Sequence, residues 1–158
     1  MVKQSVYLET SVISYYTSRF SRDLVVAGHQ QITREWLDRH AHRFHFFTSE
    51  IVIRECSGGD KGAAKARLSI LDDFQIIGLR DDALHLSKVF IRERAFPKKA
   101  AVDALHIALA TVHGIDYLVT WNCKHIANAQ IRSKLEKMAN ECGYELPTIC
   151  TPEELMGE

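Results

Sequence analysis

Glu9, Glu55, Asp103 and Asn122 are the residues of this sequence whose types and placement could carry chemistry. Glu9 closes the β-forming run "SVYL" (5–8). Glu55 lies one to two helical turns beyond "FHFFT" (44–48). Asn122 follows "DYLVT" (116–120), and Asp103 interrupts the apolar stretch "VDALHIALA". Carboxylates gathered in one place raise one another's pKa and destabilise the fold. A hard divalent cation removes that conflict. Mg²⁺ takes oxygen ligands, usually one or two carboxylates with waters. A bound ion of this kind can activate a water and neutralise charge developing on a phosphate.

Each residue also has a plain reading. Glu9 suits the first turn of a helix, where the dipole favours an acid. Glu55 could be a solvated helix residue. Asp103 could cap the helix "ALHIALA", although Ala100, Ala101 and Val102 extend the apolar pattern upstream and place the helix start before it. Asn122 is a natural turn residue. His106, three residues after Asp103, shares its helix face and reads equally as a ligand contact or as a satisfied core histidine. The functional case rests on joint placement.

That placement depends on the elements. After the strand at 5–8, Thr10 or Ser11 can cap a helix. Helices are predicted over 23–42, 50–56 (with Ser49 as cap), 60–72, 81–94, 100–113 and 127–142. Strands are predicted over 44–48, 74–79 and 116–120, with a possible edge strand at 147–150 and a short tail helix opened by Thr151-Pro152-Glu153-Glu154. The 100–113 helix is almost wholly apolar and should be buried on most sides. Alternating strands and helices give an α/β fold: a parallel sheet of four to five strands with helices on both faces. In such sheets sites lie beyond the carboxyl ends of the strands. Three strand ends turn polar there: Leu8 into Glu9-Thr10-Ser11, Phe47 into Thr48-Ser49-Glu50, and Thr120 into Trp121-Asn122.

The chain's 158 residues suit one domain, 1–158, and 46% apolar with 25% charged residues argues against disorder. A formal net charge of zero gives no global pull toward nucleic acid or anionic membrane, so such a partner must meet a local patch. The first residues lack the apolar length of a signal peptide and no run reaches membrane-spanning length. Cys56, Cys123, Cys142 and Cys150 show no C-x-x-C spacing and read as reduced thiols of a cytoplasmic protein. No Walker loop, G-x-G-x-x-G or G-x-S-x-G occurs. A receiver-like signalling domain would need a phosphate-accepting Asp at a strand end and a late Lys, which the Glu9 and Trp121-Asn122 positions do not provide.

The stretches "VYLETSVISYY", "FFTSEIVIREC", "AVDALHIALATVHGIDYLVTWNCKHIANA" and "PTICTPEEL" together resemble the PIN-domain family, in particular VapC-like toxins, over nearly the whole chain. The resemblance implies a Rossmann-like three-layer PIN fold and a ribonuclease dependent on Mg²⁺ or Mn²⁺. By position, Glu9 stands at the family's first acid, most often Asp. Glu55 matches the second and Asp103 the third, and these three are the implied metal ligands. Asn122 falls where many members carry a fourth acid. Thr10, Ser11 and Thr120 match small hydroxyl positions near the site, and His106 is a supporting candidate. Glu at 9 lengthens the reach by a methylene, and Asn at 122 removes a charge. Lys98, Lys99, Lys124 and His125 could contact RNA phosphates, extended by Arg92 and Arg94. The implied partners are RNA, a small antitoxin and a second copy of the chain, with residues 12–16 and 86–90 as the dimer face. The alternative is a weakly active or inactive PIN module that binds RNA or a protein partner.

Overall fold

The structure, a computed structural model, describes residues 2–93 and 95–157. Strand β1 (Gln4–Leu8) leads into helices α1 (Thr10–Thr17) and α2 (Leu24–His40). Strand β2 (Phe44–Ser49) follows, then α3 (Glu50–Cys56), α4 (Lys61–Ile70) and β3 (Gln75–Ile77). The second half runs α5 (Asp81–Arg92), α6 (Ala101–Val112), β4 (Tyr117–Val119), α7 (Ala129–Glu141) and β5 (Thr148–Cys150).

The strands form one parallel sheet in the order β3-β2-β1-β4-β5. With right-handed crossovers this order puts α1 to α4 on one face and α5 to α7 on the other. The packing agrees: α1 touches α2, α3 and α4, while α5 touches α6 and α7. Val6, Tyr7 and Leu8 of the central strand are wholly buried, as a strand covered on both faces requires. Helix α6 buries an unbroken run from His106 to Thr111. It ends where Gly114 takes a positive φ of 67°, a backbone state that costs glycine little.

Several expected boundaries shift. The helix expected over 60–72 ends at Ile70 and closes with a 3₁₀ turn, Leu71–Asp73. The tail is a 3₁₀ turn, Pro152–Leu155, held by a capping box in which Glu154 accepts the Thr151 N–H at 2.7 Å. The helix expected over 81–94 ends at Arg92, and Arg94 lies outside the described residues. The stretch 147–150 is an edge strand as expected.

The expected dimer face is corrected. Val12, Ile13, Leu86 and Phe90 are essentially without exposure and belong to the core. An apolar helix stripe needs a partner, and here the chain's own core, with the neighbouring helices, supplies it.

Candidate active site

Strand β1 is the switch point of the sheet. The chain moves outward from it through β2 to β3, then returns on its other side as β4 and β5. Crevices beyond the carboxyl ends at such a point are where open α/β sheets bind ligands. Glu9 follows β1 directly, and its N–H donates to the carbonyl of Val119 at the end of β4 (3.0 Å).

Glu9 is itself the N-cap of α1. Its Oε2 accepts the Ser11 N–H at 3.1 Å, and its Oε1 accepts the Ser11 hydroxyl at 2.5 Å and the Thr120 hydroxyl at 2.6 Å. The expectation that Thr10 or Ser11 caps this helix is thereby corrected. A carboxylate at the N-terminus satisfies a free N–H and gains from the helix dipole. That releases both hydroxyls to serve carboxylates. Thr10 donates to Glu55 Oε1 at 2.7 Å.

Glu55 lies in the last turn of α3, a helix whose N-cap is Ser49 as expected. Burial pushes its carboxyl up, but the hydrogen bond and charge interaction with His106, together with the hydrogen bond from Thr10, outweigh that and hold it below the usual carboxylate range. His106 is wholly buried in α6. Its Nε2 lies 2.7 Å from Glu55 Oε1, and its Nδ1 lies 2.7 Å from the Tyr7 hydroxyl. That hydroxyl also meets Ser49 Oγ at 2.8 Å. Burial, reinforced by the Glu9 and Glu55 charges against a smaller opposing effect of Ser49, pushes the Tyr7 phenol well above its ordinary value, so it stays protonated.

Asp103 sits in the first turn of α6, two residues after the helix begins, and Ala100 occupies the cap position. The capping reading of Asp103 therefore does not hold. Its Oδ1 accepts from Asn122 Nδ2 at 3.3 Å, and its Oδ2 lies 3.1 Å from His125 Nδ1. Asn122 also donates its N–H to Thr120 Oγ1 (2.9 Å) and accepts the His125 N–H on its side-chain oxygen (3.1 Å). Thr120 thus links the Glu9 carboxylate to the Asn122–Asp103–His125 group.

The structure brings nine expected residues to one edge in two hydrogen-bonded groups: Glu9, Ser11, Thr120, Asn122, Asp103 and His125 in one, and Glu55, Thr10 and His106 in the other. Among the described residues, the donor atoms of Glu9, Glu55 and His106 all lie within 4.8 Å of one another. His106 therefore stands in that group where the sequence put Asp103. The two carboxylates suit a hard divalent ion, and an imidazole beside them is compatible with Mn²⁺ as well. Lys98, Lys99 and Lys124 are exposed, the first two in the 3₁₀ turn Lys98–Ala100 that leads into α6.

Sequence reasoning missed Tyr7 as a member of the site and read Ser49 only as a cap. The available signal for Tyr7 was that a tyrosine inside a doubly covered strand must find a partner for its hydroxyl.

No protein-family model and no curated protein sequence matches the chain. Solved structures do. A chain of the VapBC2 complex of Rickettsia felis, bound to a DNA fragment from its promoter, superposes with a TM-score of 0.60 at 16% identity, over 94% of this chain and 98% of that one. Mycobacterium tuberculosis VapC20, a toxin that cleaves the sarcin–ricin loop, superposes with a TM-score of 0.57 at 16% identity, over 76% of this chain and 92% of that one. With the parallel five-stranded sheet, its switch point at β1 and the acidic edge above it, these superpositions identify the architecture as a VapC-like PIN fold.

Proposed function

We propose that the protein is a metal-dependent endoribonuclease that hydrolyses RNA phosphodiester bonds, acting as the toxin of a toxin–antitoxin pair. The observation that carries this reading is the convergence of Glu9, Glu55 and Asp103 at the switch-point edge of a VapC-like sheet: Glu9 is tied to Asp103 by hydrogen bonds through Thr120 and Asn122, and its donor atom lies within 4.8 Å of that of Glu55. The VapC20 neighbour is a toxin that cleaves the sarcin–ricin loop, and the VapBC2 neighbour is a complex bound to a DNA fragment from its promoter. By analogy, a small antitoxin protein is the partner proposed here.

In this reading Glu9 and Glu55 hold a divalent ion, Mg²⁺ or Mn²⁺. Asp103, tied to Glu9 through Thr120 and Asn122, adds the third negative charge. When bound, the ion supplies Lewis acidity toward phosphate oxygens and makes a water more acidic. The chain's own residues do the positioning. Ser11 and Thr120 hold the Glu9 carboxylate, and Thr10 and His106 hold that of Glu55, so neither must reorganise when a phosphate arrives. Lys98, Lys99 and Lys124 provide mobile positive charge for RNA phosphates, which fixes the strand without reading its sequence. His125, braced on Asp103, offers a further contact.

Described residues contain no helix long and apolar enough to cross a membrane. A cytoplasmic location and a homodimer belong to this proposal. With Val12, Ile13, Leu86 and Phe90 buried, such a dimer must use other residues, and Phe20, Leu24 and Val25 are exposed apolar residues available to it.

The test is cleavage of single-stranded RNA by purified protein with Mg²⁺ or Mn²⁺, against the same protein treated with EDTA. Cleavage that stops with EDTA and returns with metal supports the reading. Cleavage that persists in thorough EDTA rules out the metal mechanism. RNA or antitoxin binding without turnover would instead favour the inactive-module alternative.

A further inference from the structure

We infer that His106 is a positioning residue: anchored by Tyr7 and Ser49, it holds Oε1 of Glu55 so that Glu55 presents its Oε2 to the metal. This rests on the proposed metal-dependent reading of the site.

The geometry carries the assignment. His106 is wholly buried, and both its ring nitrogens have partners. Its Nε2 lies 2.7 Å from Glu55 Oε1. Its Nδ1 lies 2.7 Å from the Tyr7 hydroxyl, which in turn lies 2.8 Å from Ser49 Oγ. Ser49 Oγ accepts the Val52 N–H at 3.3 Å, so the chain of contacts runs from the first turn of α3 back to Glu55 in its last turn.

The carboxylate oxygens at this edge are unequally occupied. Both Glu9 oxygens and both Asp103 oxygens take part in the hydrogen bonds described above. Glu55 Oε1 is shared by His106 and Thr10, whereas Oε2 accepts no hydrogen bond from any described residue. His106 thus fixes which oxygen of Glu55 is left for the ion. Both its nitrogens are used within the protein, so it acts on the metal through Glu55. Partners of this kind, hydrogen-bonded to a ligand, typically change metal affinity ten- to a hundredfold when removed.

The experiment is Mn²⁺ binding followed by electron paramagnetic resonance on the full chain. Wild-type protein is compared with His106→Leu, His106→Gln and Tyr7→Phe, with folding checked by circular dichroism. His106→Leu should weaken Mn²⁺ binding roughly ten- to a hundredfold. His106→Gln, whose amide N–H can still donate to Glu55, should recover most of that loss. Tyr7→Phe keeps the shape of the strand but removes the anchor of His106 Nδ1, and should weaken binding by a smaller factor. Pulsed spectra of the Mn²⁺-loaded wild type should lack the nitrogen coupling of a directly bound imidazole. That coupling, if seen, makes His106 a ligand and overturns this inference alone. Unchanged affinity in a folded His106→Leu protein overturns it too. Should that variant not fold, unchanged affinity in Tyr7→Phe does the same. Failure of wild-type protein to bind Mn²⁺ overturns the metal-dependent function and this inference with it.

Discussion

The hydroxyl of Thr120, at the end of β4, lies 2.6 Å from Oε1 of Glu9, at the end of β1, across 111 residues of chain. Both groups are buried. A hydroxyl donating to a buried carboxylate is a charge-assisted bond, worth more than a neutral one. The same oxygen of Thr120 accepts the Asn122 N–H, so one side chain ties two strand ends and the loop beyond them.

Replacing Thr120 with Val keeps the shape and removes that bond. The expected loss of stability is about 1.5–3 kcal/mol, the range for hydrogen bonds to charged groups. Urea denaturation of the two proteins measures it. A loss well below 1 kcal/mol would mean that the Glu9 carboxylate finds another donor at no cost.

Asp103 accepts from Asn122 and pairs with His125, and it does not cap α6. Asp103→Asn removes its charge at little change of volume. Melting temperature should shift by only a few degrees, since repulsion within the acidic edge falls while hydrogen-bonding capacity persists. RNA cleavage with Mg²⁺ should fall at least about a hundredfold, the scale of losing one preorganised electrostatic group. Cleavage that survives in this variant would remove Asp103 from the catalytic machinery.

The thiols make a test of the fold that is independent of metal. Cys123 and Cys142 are exposed, while Cys56 and Cys150 are buried. Burial pushes the Cys56 thiol up to about 11 and that of Cys150 up to about 12. A thiol reagent at neutral pH should therefore modify two cysteines quickly and two only after denaturant is added. The sign of the pH effect follows from the raised values. The contribution of Cys150 to stability is fully present below the unfolded thiol pKa of about 8.5 and is lost as pH rises toward about 12. Alkaline unfolding should begin at higher pH in Cys150→Ala, provided the variant folds, than its lowered neutral stability alone would give.

Much of the architecture was legible because its signals are local. "SVYL" and "FHFFT" read as strands from β-forming residues, Ser49 sits where a cap belongs, and Gly114 ends the apolar helix. Strand–helix alternation then implied a parallel sheet, and its carboxyl edge is where Glu9, Glu55 and Asn122 lie. The parts that were not legible depend on distant partners. Tyr7 joins the site through Ser49 and His106, which are 42 and 99 residues away. Apolar periodicity marks residues of 12–16 and 86–90 as covered without saying by what, and for Val12, Ile13, Leu86 and Phe90 the chain's own core covers them. Hydroxyls after a strand suggest capping, yet a Glu one residue earlier reaches the same N–H.

Asn122 is the remaining departure from an all-acidic edge, and its geometry gives the change to Asp a definite sign. Its amide donates to Asp103 Oδ1, while its side-chain oxygen accepts the His125 N–H. An Asp at 122 keeps the acceptor and loses the donor, placing a second carboxylate against Asp103. Without metal the Asn122→Asp protein should be less stable by roughly 1–3 kcal/mol, the cost of an unsatisfied or opposed polar group. For a chain of this size that is about 2–4 °C of melting temperature per kcal/mol. Adding Mg²⁺ or Mn²⁺ should reverse the loss by mass action, because an ion that binds only the folded state stabilises it in proportion to its affinity. A fourth carboxylate raises that affinity, so the metal-induced rise should be larger in the variant than in wild type. If Asn122 were only a turn residue, Asp would serve almost as well in both conditions. The measurement is four melting curves, wild type and variant, each with and without metal. Equal metal-induced shifts would place Asn122 outside the ion's reach and leave Glu9 and Glu55 to hold it, with the charge of Asp103 nearby.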